Sequence, residues 1–395
     1  MAEPRCATPP TSTSREPPAP GRDVDNRELL RIAVIGAGTI GLSFAALHLA
    51  HPANRRLGKR VQVIIYDPRP DLKEYIEATL PGYLYSFSSC SSSKGDGERK
   101  RYGADDNENN QTQSQAGKWS GDIEELTLSH LLSTNTLIIA STLADAVQNA
   151  DIIQEQGPEN IAFKQDLWPK IEWLAKPTAL FWSSTSGIPA SVQGKSMRDP
   201  SRLLIVHPYN PPHVMPLLEI VPPPVPPSGS GSESDASASK QSQLLQRTLE
   251  YWHSLNRSPV VLKEEITGFV ANRLAFALLR EAVHLVNRGV AIAEEIDRVV
   301  ENSMGPRWAV KGPFWSYHAG GGKERGLRGF FDKIGDTVQA CWDDAGTPVL
   351  KDGDGAGDWV NALCEQVEKS YGRLGEEDLG ARDEKTRKVL DITMS

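Results

Sequence analysis

The stretch IAVIGAGTIGLSFA, residues 32–45, decides the fold. A β-branched, apolar run suited to a buried strand ends at Gly36, and an apolar stretch with helical character follows Gly41. Glycines at 36, 38 and 41 separate the two with the spacing GxGxxG. Glycine permits a tight turn, a close approach of the backbone to a ligand, and close packing of helix on strand. The stretch therefore predicts a strand–turn–helix unit whose helix N-terminus can bind a phosphate.

A carboxylate ends the second strand of this unit. The run VQVIIYD ends at Asp67, and the segment HPANRRLGKR (51–60) accounts for its long separation from Gly36. Such a carboxylate accepts hydrogen bonds from the ribose hydroxyls of an adenosine and repels a 2′-phosphate. The sequence thus predicts a dinucleotide site and favours NAD over NADP, although Arg69 nearby leaves NADP open; a plain βαβ unit is the structural alternative. We expect these residues to contact the cofactor: Gly36, Gly38, Ile40, Gly41 and Asp67.

The remaining pattern predicts an α/β fold. Helix-like stretches alternate with further apolar runs, which predicts a Rossmann-type, doubly wound and mostly parallel sheet. The strand candidates are LIIAS (137–141), DIIQE (151–155), ALFWSS (179–184), LLIVH (203–207) and PLLEI (216–220). From about residue 265 long amphipathic helices dominate, beginning with ITGFVANRLAFALLREAVHLVNRG. The expected organisation is a disordered tail (1–27), a sheet domain (28–264) with polar insertions at about 86–122 and 222–243, and a mostly helical domain (265–395).

Composition narrows the function classes. Among 395 residues, 43 are Lys or Arg and 51 are Asp or Glu, so the formal net charge is −8. A mildly acidic chain without a basic stripe argues against binding nucleic acid or an anionic membrane. The four cysteines are scattered without CxxC spacing, which predicts neither a metal site nor a disulfide framework and favours a reducing compartment. We therefore expect a cytoplasmic protein with no bound metal.

Two histidines and a glutamate lie in the proline-rich stretch LLIVHPYNPPHVMPLLEI (203–220). A hairpin centred on His213 would place His207 opposite Glu219, within side-chain contact across the strands. The carboxylate would then hold one ring nitrogen protonated and leave the other free as a general base. His213 has no such partner in the sequence. The structural alternative is that both histidines are ordinary polar residues of a loop.

Two other stretches supply polar groups for a site. FWSSTSG (181–187) ends a strand with hydroxyl groups, at the edge where open α/β sheets bind ligands. TGFVANRL (267–274) opens the long helix and places Asn272 in an apolar face. Hydroxyl clusters are commonly turn formers and such an amide is commonly a cap or a satisfied core group, but an amide can also donate to a substrate carbonyl.

Taken in order, these features resemble the 3-hydroxyacyl-CoA dehydrogenase family. The shared features are GAGTIG, the acid after the second strand, STS, HPYNP with an acid twelve residues after its histidine, and TGFVANR. The resemblance implies NAD-dependent interconversion of a 3-hydroxy acyl group and its 3-keto form, with a helical domain that forms a homodimer. By position it implies these roles: His207 as base, Glu219 as its partner, Ser186 and Asn272 on the substrate oxygen, Asn210 in the same pocket, and Glu159 and Lys164 near the nicotinamide and the substrate.

Several motifs look closer to one branch, that of lambda-crystallin, L-gulonate 3-dehydrogenase and carnitine 3-dehydrogenase. They are QGPEN, SSTSG, HPYNPP and GPRWAVKGPF. Arg307 in the last motif offers a planar fork suited to a carboxylate, whereas a thioester has no negative charge to pair. A small free 3-hydroxy acid, gulonate- or carnitine-like, is therefore the favoured substrate. An interdomain or subunit salt bridge is the alternative role for Arg307, and we expect Trp308 and Phe314 in the core.

Two other functions remain open. The first is a 3-hydroxyacyl-CoA dehydrogenase acting on a CoA thioester, which the polar insertion at about 86–122 disfavours because acyl-CoA enzymes of the family carry a CoA-contacting helical hairpin there. The second is a non-catalytic, crystallin-like NAD(H)-binding protein. A protein kept only for its fold would not need the full polar set, which is present: His207, Glu219, Ser186 and Asn272.

Overall fold

The computed structural model describes residues 28–50, 59–88, 126–224, 232–352, 355–356 and 358–394. Its first part is one eight-stranded sheet. The strands are β1 (Glu28–Ile35), β2 (Lys59–Tyr66), β3 (Leu137–Ile139), β4 (Ile152–Glu155), β5 (Leu180–Ser183), β6 (Leu203–Pro208), β7 (Leu217–Val221) and β8 (Ser258–Val261). Each strand predicted from the sequence is present. β8 was not predicted, because SPVV is short, contains a proline and is mostly exposed.

The strand order is β3-β2-β1-β4-β5-β6-β7-β8. Neighbours from β3 to β6 are parallel, β6 and β7 are antiparallel, and β7 and β8 are parallel again. The predicted Rossmann-type, mostly parallel sheet is therefore confirmed. The chain reverses its winding direction between β1 and β4, and in open α/β sheets the ligand crevice lies outside the strand ends at this point.

Helices cover both faces of the sheet. They are α1 (Thr39–Ala50), α2 (Leu72–Ser88), α3 (Leu128–Ser133), α4 (Leu143–Val147), α5 (Ile161–Leu174), α6 (Ala190–Gln193) and α7 (Ser232–Ser254). Successive residues of β1 point into two separate apolar clusters, with Ile32 in the cluster that includes Trp252 and Ala33 in the cluster that includes Trp168. This alternation is what a sheet buried on both faces requires.

The two expected polar insertions differ from the structure in part. Residues 86–88 end α2, and residues 232–243 belong to α7 rather than to a loop. Serine, aspartate and glutamate suit a first helical turn, and the helix continues into Leu244, Tyr251 and Trp252, which pack on the core. Helix α7 thus extends N-terminally from the part that packs on the core. The remaining insertion residues, 89–122 and 225–231, lie outside the described residues.

The C-terminal part is helical, as predicted. It contains α8 (Ala271–Asn287), α9 (Ala293–Glu301), α10 (Met304–Val310), α11 (Pro313–Gly320), α12 (Gly326–Asp344), α13 (Asp358–Tyr371) and α14 (Glu376–Thr393), with a short ladder between Lys351–Asp352 and Gly355–Ala356. The expectation that Trp308 and Phe314 lie in the core is wrong, because they are 36% and 80% exposed. These helices place many apolar side chains outward. Within the described ranges, no helix is both long and apolar enough to cross a membrane.

Candidate active site

Each glycine of the loop after β1 has its own steric role. Gly36 has a φ of +101°, and a Cβ there would lie 2.9 Å from the carbonyl oxygen of Gln156. At Gly41 a Cβ would lie 1.9 Å from the oxygen of Gly36, so the start of α1 packs directly on the turn. No atom lies within 4 Å of the Cβ position of Gly38. This open space beside a helix N-terminus fits the pyrophosphate of a dinucleotide. Ile40 is half-buried in the first turn of α1.

Asp67 is held against the glycine loop. Its Oδ2 accepts a hydrogen bond of 2.8 Å from the amide of Ala37, and its Oδ1 accepts one of 3.0 Å from the amide of Arg69. The guanidinium of Arg69 donates to Asp71 at 2.8 Å and lies 3.7 Å from the ring centroid of Tyr75. Arg69 is therefore already engaged, and its pairing with a 2′-phosphate would require these contacts to break. The geometry fits NAD.

The hairpin places His207 opposite Glu219, as predicted. Nδ1 of His207 lies 2.8 Å from Oε2 of Glu219, and both side chains are buried. Burial alone would raise the pKa of Glu219, but hydrogen bonds from His207 and from two backbone amides outweigh it and hold the pKa below its usual value. A carboxylate at this position makes Nδ1 the protonated nitrogen, which leaves a lone pair on Nε2.

The second oxygen of Glu219 reaches the helical domain, which the sequence did not predict. Oε1 accepts hydrogen bonds of 2.8 and 2.9 Å from the amides of Val270 and Ala271, at the N-terminus of α8. The preceding residue, Phe269, is fully buried with a φ of +50°, and its ring centroid lies 5.1 Å from that of His207. A bulky residue in the left-handed region is uncommon and marks a constrained backbone. The ring of His207 therefore packs against the segment that enters α8.

The other predicted substrate residues divide into two groups. Asn272 donates from Nδ2 to the backbone oxygen of Ser186 at 3.2 Å, so the start of α8 meets the loop after β5. Ser186 is exposed and Asn272 is half-buried. Asn210 and Arg307 are also exposed. Among the described residues, neither forms a hydrogen bond or ion pair with the side chains of His207 and Glu219. Arg307 lies on α10, in the helical domain.

Glu159 and Lys164, expected near the cofactor, are both occupied by protein groups. Glu159 accepts hydrogen bonds from Oγ1 of Thr185 at 2.5 Å and from the amide of Gly187 at 3.0 Å, and so ties the β4–α5 loop to the loop after β5. Lys164 is fully buried, and its ammonium lies 2.8 and 2.9 Å from the carboxylate oxygens of Glu155. The ammonium of Lys164 is thus paired with a carboxylate of the protein. Glu155 was not predicted, since a glutamate ending an apolar strand has no distinctive sequence signal.

His213 has partners that the sequence did not reveal. Its Nδ1 lies 2.8 Å from Oγ of Ser43, which also accepts a hydrogen bond from the amide of His213. Its ring contacts Tyr83 edge-on. Burial and then the positive charge of Arg387 lower the pKa of His213 to about 4. The expectation that His213 lacks a partner is wrong, because Ser43 comes from α1, 170 residues earlier.

Two family models match the chain. Residues 99–265 match the NAD-binding domain of 3-hydroxyacyl-CoA dehydrogenase, and residues 268–343 match its C-terminal domain. The first match begins after the glycine loop and Asp67, so it does not cover these residues. Among the described residues, no group of three or more His, Cys, Asp or Glu side chains could hold a metal ion.

Relatives extend the similarity over most of the chain. An L-carnitine dehydrogenase from Oceanobacillus iheyensis is 31% identical over 322 residues, which are 82% of this chain and 86% of that protein. A 3-hydroxyacyl-CoA dehydrogenase from Gibberella moniliformis is 32% identical over 88% of this chain and 89% of its own length. The crystal structure of FHMPC 5-dehydrogenase, an NAD+-dependent dismutase, matches with a TM-score of 0.60 at 23% identity, over 92% of this chain and 97% of that chain. This last similarity shows the fold alone.

Proposed function

The chain belongs to the 3-hydroxyacyl-CoA dehydrogenase family, and we propose that it oxidises the 3-hydroxyl of a small free hydroxy acid to the 3-keto form with NAD. The resemblance drawn from the sequence is confirmed at the level of the family, the NAD cofactor and the class of enzyme. The observation that carries the proposal is the buried His207–Glu219 pair, beside the start of α8. The identity of the acid and the role of each residue are the proposed part.

His207 is the general base in this proposal. Nδ1 stays protonated and donates to Glu219, and Nε2 takes the proton of the substrate hydroxyl. The carboxylate then stabilises the imidazolium that forms, because the two charges are opposite and both side chains are buried. Bound NAD would accept the hydride from the carbon that carries the hydroxyl. Proton transfer by a positioned base of this kind contributes roughly 10²–10⁴-fold to the rate.

Ser186 and Asn272 polarise the developing carbonyl. The contact between the Asn272 amide and the Ser186 backbone brings both polar side chains to the junction of the two domains. Each can donate a hydrogen bond to an oxygen on which negative charge accumulates as the proton leaves. A substrate oxygen held by both would face the edge of the sheet at the end of β5. Asn210, exposed after β6, is proposed to line the same pocket.

The choice of a free acid over a CoA thioester depends on Arg307. This residue is exposed on α10, and its guanidinium has no ion pair among the described residues. An unpaired arginine fork is available to a substrate carboxylate. Relatives named L-carnitine dehydrogenase support a free 3-hydroxy acid, and the relative named 3-hydroxyacyl-CoA dehydrogenase supports the thioester. The thioester therefore remains the second candidate.

A substrate panel separates the two candidates. NADH formation is measured with free 3-hydroxy acids, including carnitine and gulonate, and with 3-hydroxyacyl-CoA thioesters. We expect turnover with a free acid, and Arg307→Met should raise the KM for that acid at least tenfold while Arg307→Lys raises it less. Rates found only with thioesters, or an Arg307→Met variant with unchanged KM, would overturn the free-acid assignment.

The exposed apolar surface of the helical domain supports a homodimer. Large side chains of α8 and α11 that face outward include Leu274, Phe276, Phe314 and Trp315. Large apolar side chains exposed in such numbers are typical of an interface between subunits. We therefore propose a homodimer. We also propose a cytoplasmic location, because the described cysteines, Cys341 and Cys364, are free, as is usual in a reducing compartment. Light scattering coupled to size exclusion should give twice the 43.2 kDa chain mass, and Phe314→Glu should lower it.

A further inference from the structure

Glu155 is the centre of a buried polar network outside the proposed dyad. Its two oxygens lie 2.8 and 2.9 Å from the ammonium of Lys164, and both side chains are fully buried. Oε1 also accepts a hydrogen bond of 2.6 Å from the amide of Gly157, and Oε2 accepts one of 2.9 Å from Oγ of Ser183. Glu155 therefore connects α5, the β4–α5 loop and the last residue of β5.

This network lies beside the cofactor crevice. Glu155 ends β4, the strand next to β1 at the point where the winding direction reverses. The residue after it, Gln156, donates from its amide to the oxygen of Ile35 at 2.8 Å, and its own carbonyl approaches Gly36. The turn at 156–157 and the glycine loop thus face each other across the end of the sheet. A dinucleotide bound at Gly38 would extend along this wall.

Stability alone does not account for such a pair. Burying two charges costs several kcal/mol per ion, and replacing a buried ion pair with apolar groups of similar volume is often neutral or stabilising. The additional hydrogen bonds to Gly157 and Ser183 indicate a positional role. They fix two chain segments that a Lys–Glu contact by itself would not restrain. Lys164 offsets the negative charge, so the adjacent crevice does not face an unpaired carboxylate.

We propose that Glu155 is a positioning residue for NAD, which sets the wall of the crevice through the Gly157 amide and the Ser183 hydroxyl, with Lys164 as its counter-charge. This proposal rests on the proposed function only in that NAD is the ligand. It deepens that function by giving Lys164 an indirect role, as the counter-charge of Glu155. The wall continues into the loop after β5, because the amide of Ser184 donates to the backbone oxygen of Glu155 at 2.9 Å.

A matched pair of double variants separates position from charge. Glu155→Gln/Lys164→Met removes both charges, but a glutamine can still accept from Gly157 and hydrogen-bond to Ser183. Glu155→Met/Lys164→Met has a similar volume and no such groups. An exposed ion pair on the same helix, between Asp166 and Lys170, serves as the control through Asp166→Asn/Lys170→Met.

The readout is the Kd for NADH, measured by fluorescence titration without substrate, with the urea unfolding midpoint beside it. We expect the exposed control to bind within about threefold of the wild type. Glu155→Met/Lys164→Met should bind at least tenfold more weakly than Glu155→Gln/Lys164→Met at a similar midpoint, as the loss of hydrogen bonds to an ordered wall predicts. Because no substrate is present, the result does not depend on which acid the enzyme oxidises.

Equal NADH affinity of the two double variants would overturn the proposal, since the pair would then serve packing alone. If Glu155→Met/Lys164→Met does not fold, Ser183→Ala provides the second test. It removes one hydroxyl and leaves the ion pair intact. A three- to tenfold weaker Kd for NADH is expected, and an unchanged Kd in that variant would also overturn the proposal.

Discussion

Glu219 contacts His207 with one carboxylate oxygen and the N-terminus of α8 with the other. The distances are 2.8 Å from Oε2 to Nδ1 of His207, and 2.8 and 2.9 Å from Oε1 to the amides of Val270 and Ala271. The residue that orients the proposed base therefore also joins the sheet domain to the helical domain. Any shift of α8 relative to the sheet would disturb the carboxylate and, through it, the imidazole.

Substitutions at Glu219 should separate these two roles. In Glu219→Gln the amide oxygen can still accept from Val270 and Ala271, but the negative charge that stabilises an imidazolium is lost. We expect kcat to fall at least a hundredfold with a modest change in stability. Glu219→Ala should lose kcat similarly and also lower the free energy of unfolding by about 1–3 kcal/mol, because the amides of Val270 and Ala271 lose their acceptor. Steady-state kinetics and urea unfolding measure the two effects.

The contrast between the two variants is the test. Equal unfolding free energies for Glu219→Gln and Glu219→Ala would show that the contact with α8 does not contribute to stability. A near-normal kcat in Glu219→Gln would show that the negative charge of Glu219 does not contribute to catalysis.

Substitution of the proposed base should affect chemistry and not cofactor binding. His207→Gln keeps a polar side chain near Glu219 but cannot take a proton, so kcat should fall by roughly 10²–10⁴-fold or more. The Kd for NADH, measured by fluorescence, should stay within about threefold, because the glycine loop and Asp67 are on other strands. A variant with wild-type turnover would refute the assignment.

The sequence was sufficient for most of the sheet and for the pairing of His207 with Glu219, because both depend on local patterns. Strand runs, glycine spacing and proline-bounded turns specify the sheet, and a hairpin about His213 places His207 opposite Glu219 by counting alone. The register of a hairpin follows from where its turn lies.

The contacts that the sequence did not predict join segments that are distant along the chain. Ser43 and His213 are 170 residues apart, and Glu219 reaches the amides at 270–271 through the packing of α8. Lys164 was placed near the cofactor by resemblance, yet its charge is directed at Glu155. Trp308 and Phe314, expected in the core, are exposed, because the helical domain has an outward apolar face.

Asp67 should control the choice of cofactor. Asp67→Asn removes the negative charge that opposes a 2′-phosphate and weakens the acceptor for ribose hydroxyls. We expect the Kd for NADH to rise about tenfold and the preference for NADH over NADPH to shrink, both by fluorescence titration. Arg69→Gln is the control and should change NADH binding little, since the guanidinium contacts Asp71 and Tyr75. An unchanged cofactor preference in Asp67→Asn would contradict the assignment.

Two buried histidines should make the fold sensitive to acid. Burial lowers the pKa of His48 to about 4, where Nε2 lies 2.9 Å from Gln154 and Nδ1 lies 2.6 Å from the Tyr251 hydroxyl. A folded-state pKa below the unfolded value of about 6.5 means that the unfolded chain binds the proton first. Stability should therefore be full above pH 6.5 and decline as the pH falls towards 4, by about 3 kcal/mol for His48 alone. His213, with a pKa also lowered to about 4, should add to the decline.

Urea unfolding between pH 8 and 5 measures how the free energy of unfolding depends on pH. This slope should flatten in His48→Gln and in His213→Asn but not in the exposed control His130→Asn. Parallel curves for the wild type and the three variants would show that neither buried histidine determines the acid sensitivity.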